Sequence, residues 1–156
     1  MHGVYVYYNG SLDHVSGRSV TPDGYNLGLR YQCVEFVKRY YYQALHHRMP
    51  DSYGHAYEFF DVALKDGQLN TRRDLLQYAN PSPEKPRVGD ILVFNKTAAN
   101  PYGHVAIVSA IIGQELEIIQ QNAGPVGKSR VRIPILYQRG HWLLKHGQVL
   151  GWLRKA

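Results

Sequence analysis

One cysteine, eight histidines and a run of three amide side chains carry most of the chemical potential of this sequence. Cys33 lies in the stretch Tyr31 to Tyr42, YQCVEFVKRYYY. Val34, Val37, Tyr41 and Leu45 recur there at near-helical spacing, and Phe36 and Tyr40 widen the apolar stripe. The cysteine therefore falls in the first turn of an amphipathic helix. Unpaired backbone N–H groups and the positive end of the helix dipole favour a thiolate at such a place, the ionised form a nucleophilic cysteine needs. The competing reading is an inert, buried apolar cysteine, the commoner fate of a lone thiol.

A cysteine nucleophile needs a base, and His104 is the best placed of the histidines. It follows Gly103 and opens a strand whose later residues, Val105 to Ile112, are apolar on both faces and so central to a sheet. A histidine at the rim of a rigid strand is held in one orientation, as acid–base work requires. The next strand offers Gln120, Gln121 and Asn122 as orienting groups. In an antiparallel pair the connecting loop sets which residues share a face. An odd-length loop around Gly113 puts Gln120 and Asn122 on the side of His104, whereas an even-length loop puts Gln121 there. Ile118 and Ile119 both suit a core, so the apolar pattern leaves the two registers open.

The elements around these residues read as follows. Gly3 to Asn9 alternates valine and tyrosine as a strand would, and Ser11 to Arg30 is a glycine-broken loop with Thr21–Pro22–Asp23–Gly24 as its turn. The cysteine helix runs to about His46, and a second helix is expected over Gly54 to Lys65. After the stiff connector Asn80 to Pro86 come short β-branched runs at Val88–Asn95, Gly103–Ile112, Glu115–Asn122, Ser129–Tyr137 and Val149–Arg154. Helices first and strands later, with hairpin-length connections, give an α+β domain with N-terminal helices on one face of an antiparallel sheet. At 156 residues the expectation is a single domain, residues 1–156.

With these residues in place the chain resembles the CHAP family, the cysteine, histidine-dependent amidohydrolases/peptidases with a papain-like fold. The matching motifs are Gln32-Cys33-Val34-Glu35-Phe36, Gly89-Asp90, Gly103-His104-Val105-Ala106-Ile107-Val108 and the polar tripeptide 120–122. The opening Gly3-Val4 and closing Leu150-Gly151-Trp152 bring it nearest to the family's glutathionylspermidine amidases. The resemblance implies Cys33 as nucleophile and His104 as general base and acid. It places Gln120, where the family usually has an acidic residue, as the group that orients His104. Asn122 is then a polar support, and the Gln32 amide is a candidate oxyanion donor beside the Cys33 backbone N–H.

The implied reaction is hydrolysis of an amide bond through a thioester, with peptidoglycan stem peptides as the leading substrate and glutathionylspermidine-type conjugates as the alternative. From another class comes an inactive binding module, of which Gln120 would be a sign of decay. A net charge of +6 suits an anionic wall polymer, while the scattered basic residues mark no nucleic-acid face. Asn122 to Ser129, NAGPVGKS, approaches a phosphate-binding loop, but β-branched alternation follows it where that motif demands a helix. Neither a cofactor nor a metal is called for, since no His, Cys, Asp or Glu cluster has ligand spacing. A single cysteine excludes an internal disulfide, and the opening residues do not read as a signal peptide. A monomer without a membrane span is expected, in a bacterial cytoplasm or exported by a non-classical route.

Overall fold

Ten strands and one α-helix build the structure, a computed structural model that describes residues 1–51 and 54–156. Strands β1 (Arg18–Val20) and β2 (Asn26–Leu29) form a small antiparallel hairpin. Helix α1 (Cys33–Leu45) follows, then a 3₁₀ turn at Ala56–Phe59. The remaining strands are β3 (Gln68–Asn70), β4 (Leu75–Ala79), β5 (Ile91–Phe94), β6 (His104–Ile112), β7 (Glu115–Ile119), β8 (Arg130–Gln138), β9 (His141–Leu144) and β10 (Val149–Arg154). They form one eight-stranded sheet in the order β3-β4-β10-β5-β6-β7-β8-β9. Every neighbouring pair is antiparallel, so the class is α+β with the helical elements on one face of the sheet.

Alternation along the strands splits the core in two. Ile91, Val93, Val105, Ile107 and Leu153 point to α1, where Phe36, Val37, Tyr40 and Tyr41 meet them. Leu92, Phe94, Ala106, Val108 and Trp152 point the other way and pack with Ile118, Ile133, Ile135 and Leu144. This second face stays dry because the sheet coils on itself. Ser82 and Trp142 exchange backbone hydrogen bonds, and the Asn80 amide donates to Leu144 O, so the proline-rich connector ties the β9 end of the sheet back to the β4 side.

Helix α1 is buried on more than its apolar stripe. Glu35 and Lys38 are fully buried, and Arg39 nearly so. Glu35 and Arg39 pair at 2.8 Å, one helical turn apart, and Lys38 donates to the Asn26 carbonyl of the overlying hairpin. Gly28 carries the hairpin over the helix at φ +121°, a backbone conformation that favours glycine. The helix closes where His46 adopts the left-handed conformation (φ 52°) and its N–H bonds the Tyr41 carbonyl.

Three expectations need correction. Gly3–Asn9 forms no strand; its Tyr7 N–H is satisfied by the Gln121 side chain instead of a sheet partner. The second helix shrinks to the 3₁₀ turn, because Gln77 grips both the N–H and the carbonyl of Asp61 and draws the chain away. Strands β1 and β2 lie where the sequence reads as loop, and β3, β4 and β9 fall where no element was expected, all too brief to show a period.

Candidate active site

Cys33 is the first residue of α1, with Gln32 at the N-cap, and is 7 % exposed. It lies in the lining of a cavity of about 270 Å³ whose rim carries Asp13, Arg18, His55 and Tyr102. His104 opens β6 opposite Phe94 of β5. Gly103 delivers it there at φ +70°, with no room for a side chain: a β-carbon would lie 2.7 Å from the Phe94 carbonyl oxygen. Val105, the residue after His104, shares a core cluster with Cys33, and its backbone N–H favours the thiolate, so the start of β6 packs near the start of α1.

Which glutamine faces His104 is decided by a bulge. The β6–β7 loop is even in length, with Ile112 opposite Glu115, and that register alone would bring Gln121 to the histidine. Between Val108 and Ala110 the register shifts by one residue, and beyond it Ile107 faces Ile119. The extra residue is Ser109, whose hydroxyl bonds the Glu117 carboxylate and carbonyl. Gln120 thereby lands on the face of His104, and its Oε1 lies 2.8 Å from His104 Nε2. Its own amide nitrogen donates to the Lys128 carbonyl at 2.7 Å.

Gln121 and Asn122 turn the other way and hold the helix cap. Gln121 Nε2 donates to the Gln32 carbonyl at 2.8 Å, while its oxygen accepts from the Tyr7 N–H and from Arg39. Asn122 donates to Gln32 Oε1 at 2.7 Å and accepts from Asn9 Nδ2. It thus supports Gln32, with no contact to His104. The Gln32 amide nitrogen donates to the Leu12 and His14 carbonyls at 3.0 and 2.9 Å, which commits both of its hydrogens to the loop. Sequence reasoning passed over Gln121 and Asn9 as cap-holding residues. Their signal was the amide tract itself and an Asn–Gly pair read only as a turn.

Burial governs the ionisation of the pair. It pushes the Cys33 thiol up to about 11, against backbone hydrogen bonds from Val105, Val34 and Cys33 itself. Burial also lowers the His104 imidazole below its ordinary value, opposed by the hydrogen bond to Gln120. Both shifts favour the uncharged forms, so here burial overrides the helix-end effect that by itself favours a thiolate. At rest the Cys33 thiol is uncharged, and burial disfavours the charged form of the His104 imidazole. Of the other histidines, His55 lies on the cavity rim near Tyr102, and His47 is buried against the Arg73 carbonyl. Among the described residues no three His, Cys, Asp or Glu side chains gather as metal ligands, and no helix is long and apolar enough to cross a membrane.

Comparison with known proteins gives a family. The CHAP domain model matches residues 22–122, which contain Cys33, His104 and Gln120. The bifunctional glutathionylspermidine synthetase/amidase of Escherichia coli (strain K12) is 30% identical over 147 residues, covering 87% of this chain and 23% of that protein. Trypanothione synthetase of Crithidia fasciculata is 25% identical over 116 residues, 74% of this chain and 18% of the relative. The chain thus spans about a quarter or less of the length of these curated relatives. Among solved structures, the crystal structure of Ly7917 with the hydrolyzing product of MDP shares 30% identity over 48% of this chain and 30% of its own, at a TM-score of 0.33. On the extent of the domain match and of the identity, this chain belongs to the CHAP family of cysteine amidohydrolases/peptidases.

Proposed function

We propose that residues 1–156 act as one CHAP-type domain that hydrolyses amide bonds with Cys33 as nucleophile and His104 as general base and acid. The observation that carries this reading is the hydrogen bond that His104 Nε2 donates to Gln120 Oε1, at the start of a strand whose next residue, Val105, packs in the same core as Cys33. With Nε2 held by Gln120, Nδ1 is the nitrogen left to take the thiol proton. As sulfur attacks the carbonyl carbon, that proton moves to His104, and negative charge gathers on the carbonyl oxygen. The Cys33 backbone N–H, in the first helical turn, is the donor for that oxyanion. Gln32, whose amide hydrogens hold the loop at residues 12–14, acts as a brace for the cap. His104 then protonates the leaving amine and activates the water that releases the acyl group from the thioester.

For the substrate, peptide amide bonds of peptidoglycan fit the family resemblance and the net charge of +6. Glutathionylspermidine or a related peptide–polyamine conjugate is the second reading, favoured by the Escherichia coli relative and by Asp13 on the cavity rim, a carboxylate suited to a cationic amine. The test is incubation with purified peptidoglycan and, separately, glutathionylspermidine, with released amines followed by mass spectrometry. New amine termini from peptidoglycan, lost in Cys33→Ala, are expected. Release of spermidine alone would move the second reading to first place, and no release from either would leave the binding-module reading standing.

A further inference from the structure

We infer that the backbone carbonyl of Lys128 is the positioning group that fixes His104, and that it selects glutamine over an acidic residue at position 120. This rests on the reading of His104 as the base. A carbonyl oxygen only accepts hydrogen bonds, so whatever side chain meets it must donate. Gln120 does so at 2.7 Å, which turns its own oxygen to His104 at 2.8 Å. That oxygen in turn accepts only, so Nε2 carries the hydrogen and Nδ1 keeps the lone pair. One main-chain oxygen therefore sets the histidine tautomer through a side chain with a donor at one end and an acceptor at the other.

The oxygen is held by a small surface turn. Gly127 N–H donates to the Gly124 carbonyl at 3.1 Å, with Pro125 and Val126 between them. Gln120 N–H donates to the Ser129 carbonyl at 2.9 Å, so backbone and side chain of Gln120 are engaged by consecutive residues of the same loop. A β-carbon on Gly127 would stand 2.4 Å from the Ala123 carbonyl oxygen, so the turn closes only with glycine there. Val126, at its tip, is 95% exposed. Behind Gln120 a cavity of about 270 Å³ lies between this loop and Asn9, and the Tyr8 hydroxyl reaches the loop to donate to the Pro125 carbonyl at 3.4 Å. Hydrogen bonds rather than packing keep the carbonyl in place.

A carboxylate at position 120 would favour an imidazolium but would face the Lys128 oxygen with no hydrogen to offer. Only its protonated form reproduces both contacts of the glutamine. Gln120→Glu is thus expected to lower amidase turnover at neutral pH, with the introduced carboxyl titrating above the ordinary glutamate value of about 4.3. Gly127→Ala is expected to displace the turn, yielding a mixture of His104 tautomers and a three- to ten-fold loss of turnover, about what one neutral hydrogen bond carries. Val126→Ala is the control and should match the wild type in both.

The tautomer is read by ¹⁵N NMR of histidine-labelled protein, with the His104 signals assigned by their loss in His104→Asn. A single Nε2–H tautomer in the wild type and a mixture in Gly127→Ala support the lock. An Nδ1–H tautomer in the wild type, an unchanged tautomer in Gly127→Ala, or faster turnover with an imidazolium in Gln120→Glu would each overturn it. If the tautomer follows the lock while wild type and His104→Asn are equally inactive on every amide tried, the assignment of His104 as base fails and the lock stands.

Discussion

The uncharged resting pair makes the pH profile of Cys33 alkylation an informative measurement. With its thiol pushed up to about 11, only about 10⁻⁴ of Cys33 is thiolate at pH 7, against about 3 % for an ordinary cysteine near 8.5. Iodoacetamide reacts with the thiolate, so the rate at neutral pH should be about two orders of magnitude below that of a free cysteine. Burial of the sulfur lowers it further by hindering access. The shape of the profile is insensitive to access and is the quantity to read. With a single cysteine in the chain, intact mass follows the reaction without ambiguity. The rate should climb about tenfold per pH unit from pH 7 to 10 with no shoulder. His104→Ala should leave that shape in place while abolishing amide hydrolysis, since the imidazole acts by taking the proton during attack, a contribution of about 10²–10⁴-fold. A plateau of reactivity below pH 7 that His104→Ala removes would refute the reasoning, because it would show a thiolate–imidazolium pair already formed at rest.

Other measurements test the scaffold. Burial holds the His104 imidazole below its ordinary value of 6.5, so the unfolded chain binds a proton that the folded chain resists. The stability tied to this group is therefore complete above that value and lost as pH falls; urea unfolding should show wild type losing ground to His104→Asn between pH 7 and 5, and parallel curves would contradict it. Arg154 meets the buried Asp90 with two hydrogen bonds, at 2.9 and 2.7 Å. Arg154→Met should cost about 3–5 kcal/mol in urea unfolding by leaving that carboxylate without its cation. Gln121→Leu leaves the Tyr7 N–H without its amide partner and frees the helix cap, at an expected cost of about 1–3 kcal/mol. Its turnover should fall even at temperatures where circular dichroism shows the variant folded.

What the sequence made legible follows the length of each pattern. Helix α1 repeats its apolar stripe over more than three turns, and β6 is apolar for most of nine residues, so both elements and the residues at their starts were readable. The Gly54–Lys65 stretch has a helical pattern but loses to Gln77, a residue far along the chain that no local window includes. Gly3–Asn9 alternates like a strand yet spends its hydrogen bonds on side chains of the amide tract. The facing of Gln120 was undecidable for a sharper reason. The loop length and the bulge each change the parity, and Ser109 carries no propensity that announces a bulge. The ionisation of Cys33 turned on burial at a helix end, which a one-dimensional reading of dipole and cap does not contain.

The bulge at Ser109 also bears on how this site tolerates change. With the bulge kept, removing one residue from the β6–β7 turn would slide β7 by one position and set Gln121 where Gln120 now lies, with Asn122 taking the place of Gln121. The stations of Gln120 and Gln121 would each still receive a primary amide, while Ala123 would replace Asn122 at the helix cap. Two of the three amide stations are thus covered against the loss of one residue, whereas an inserted residue would bring Ile119 to the place of Gln120. Redundancy is written along the strand in one direction only, toward a shorter hairpin, where His104 meets a second glutamine.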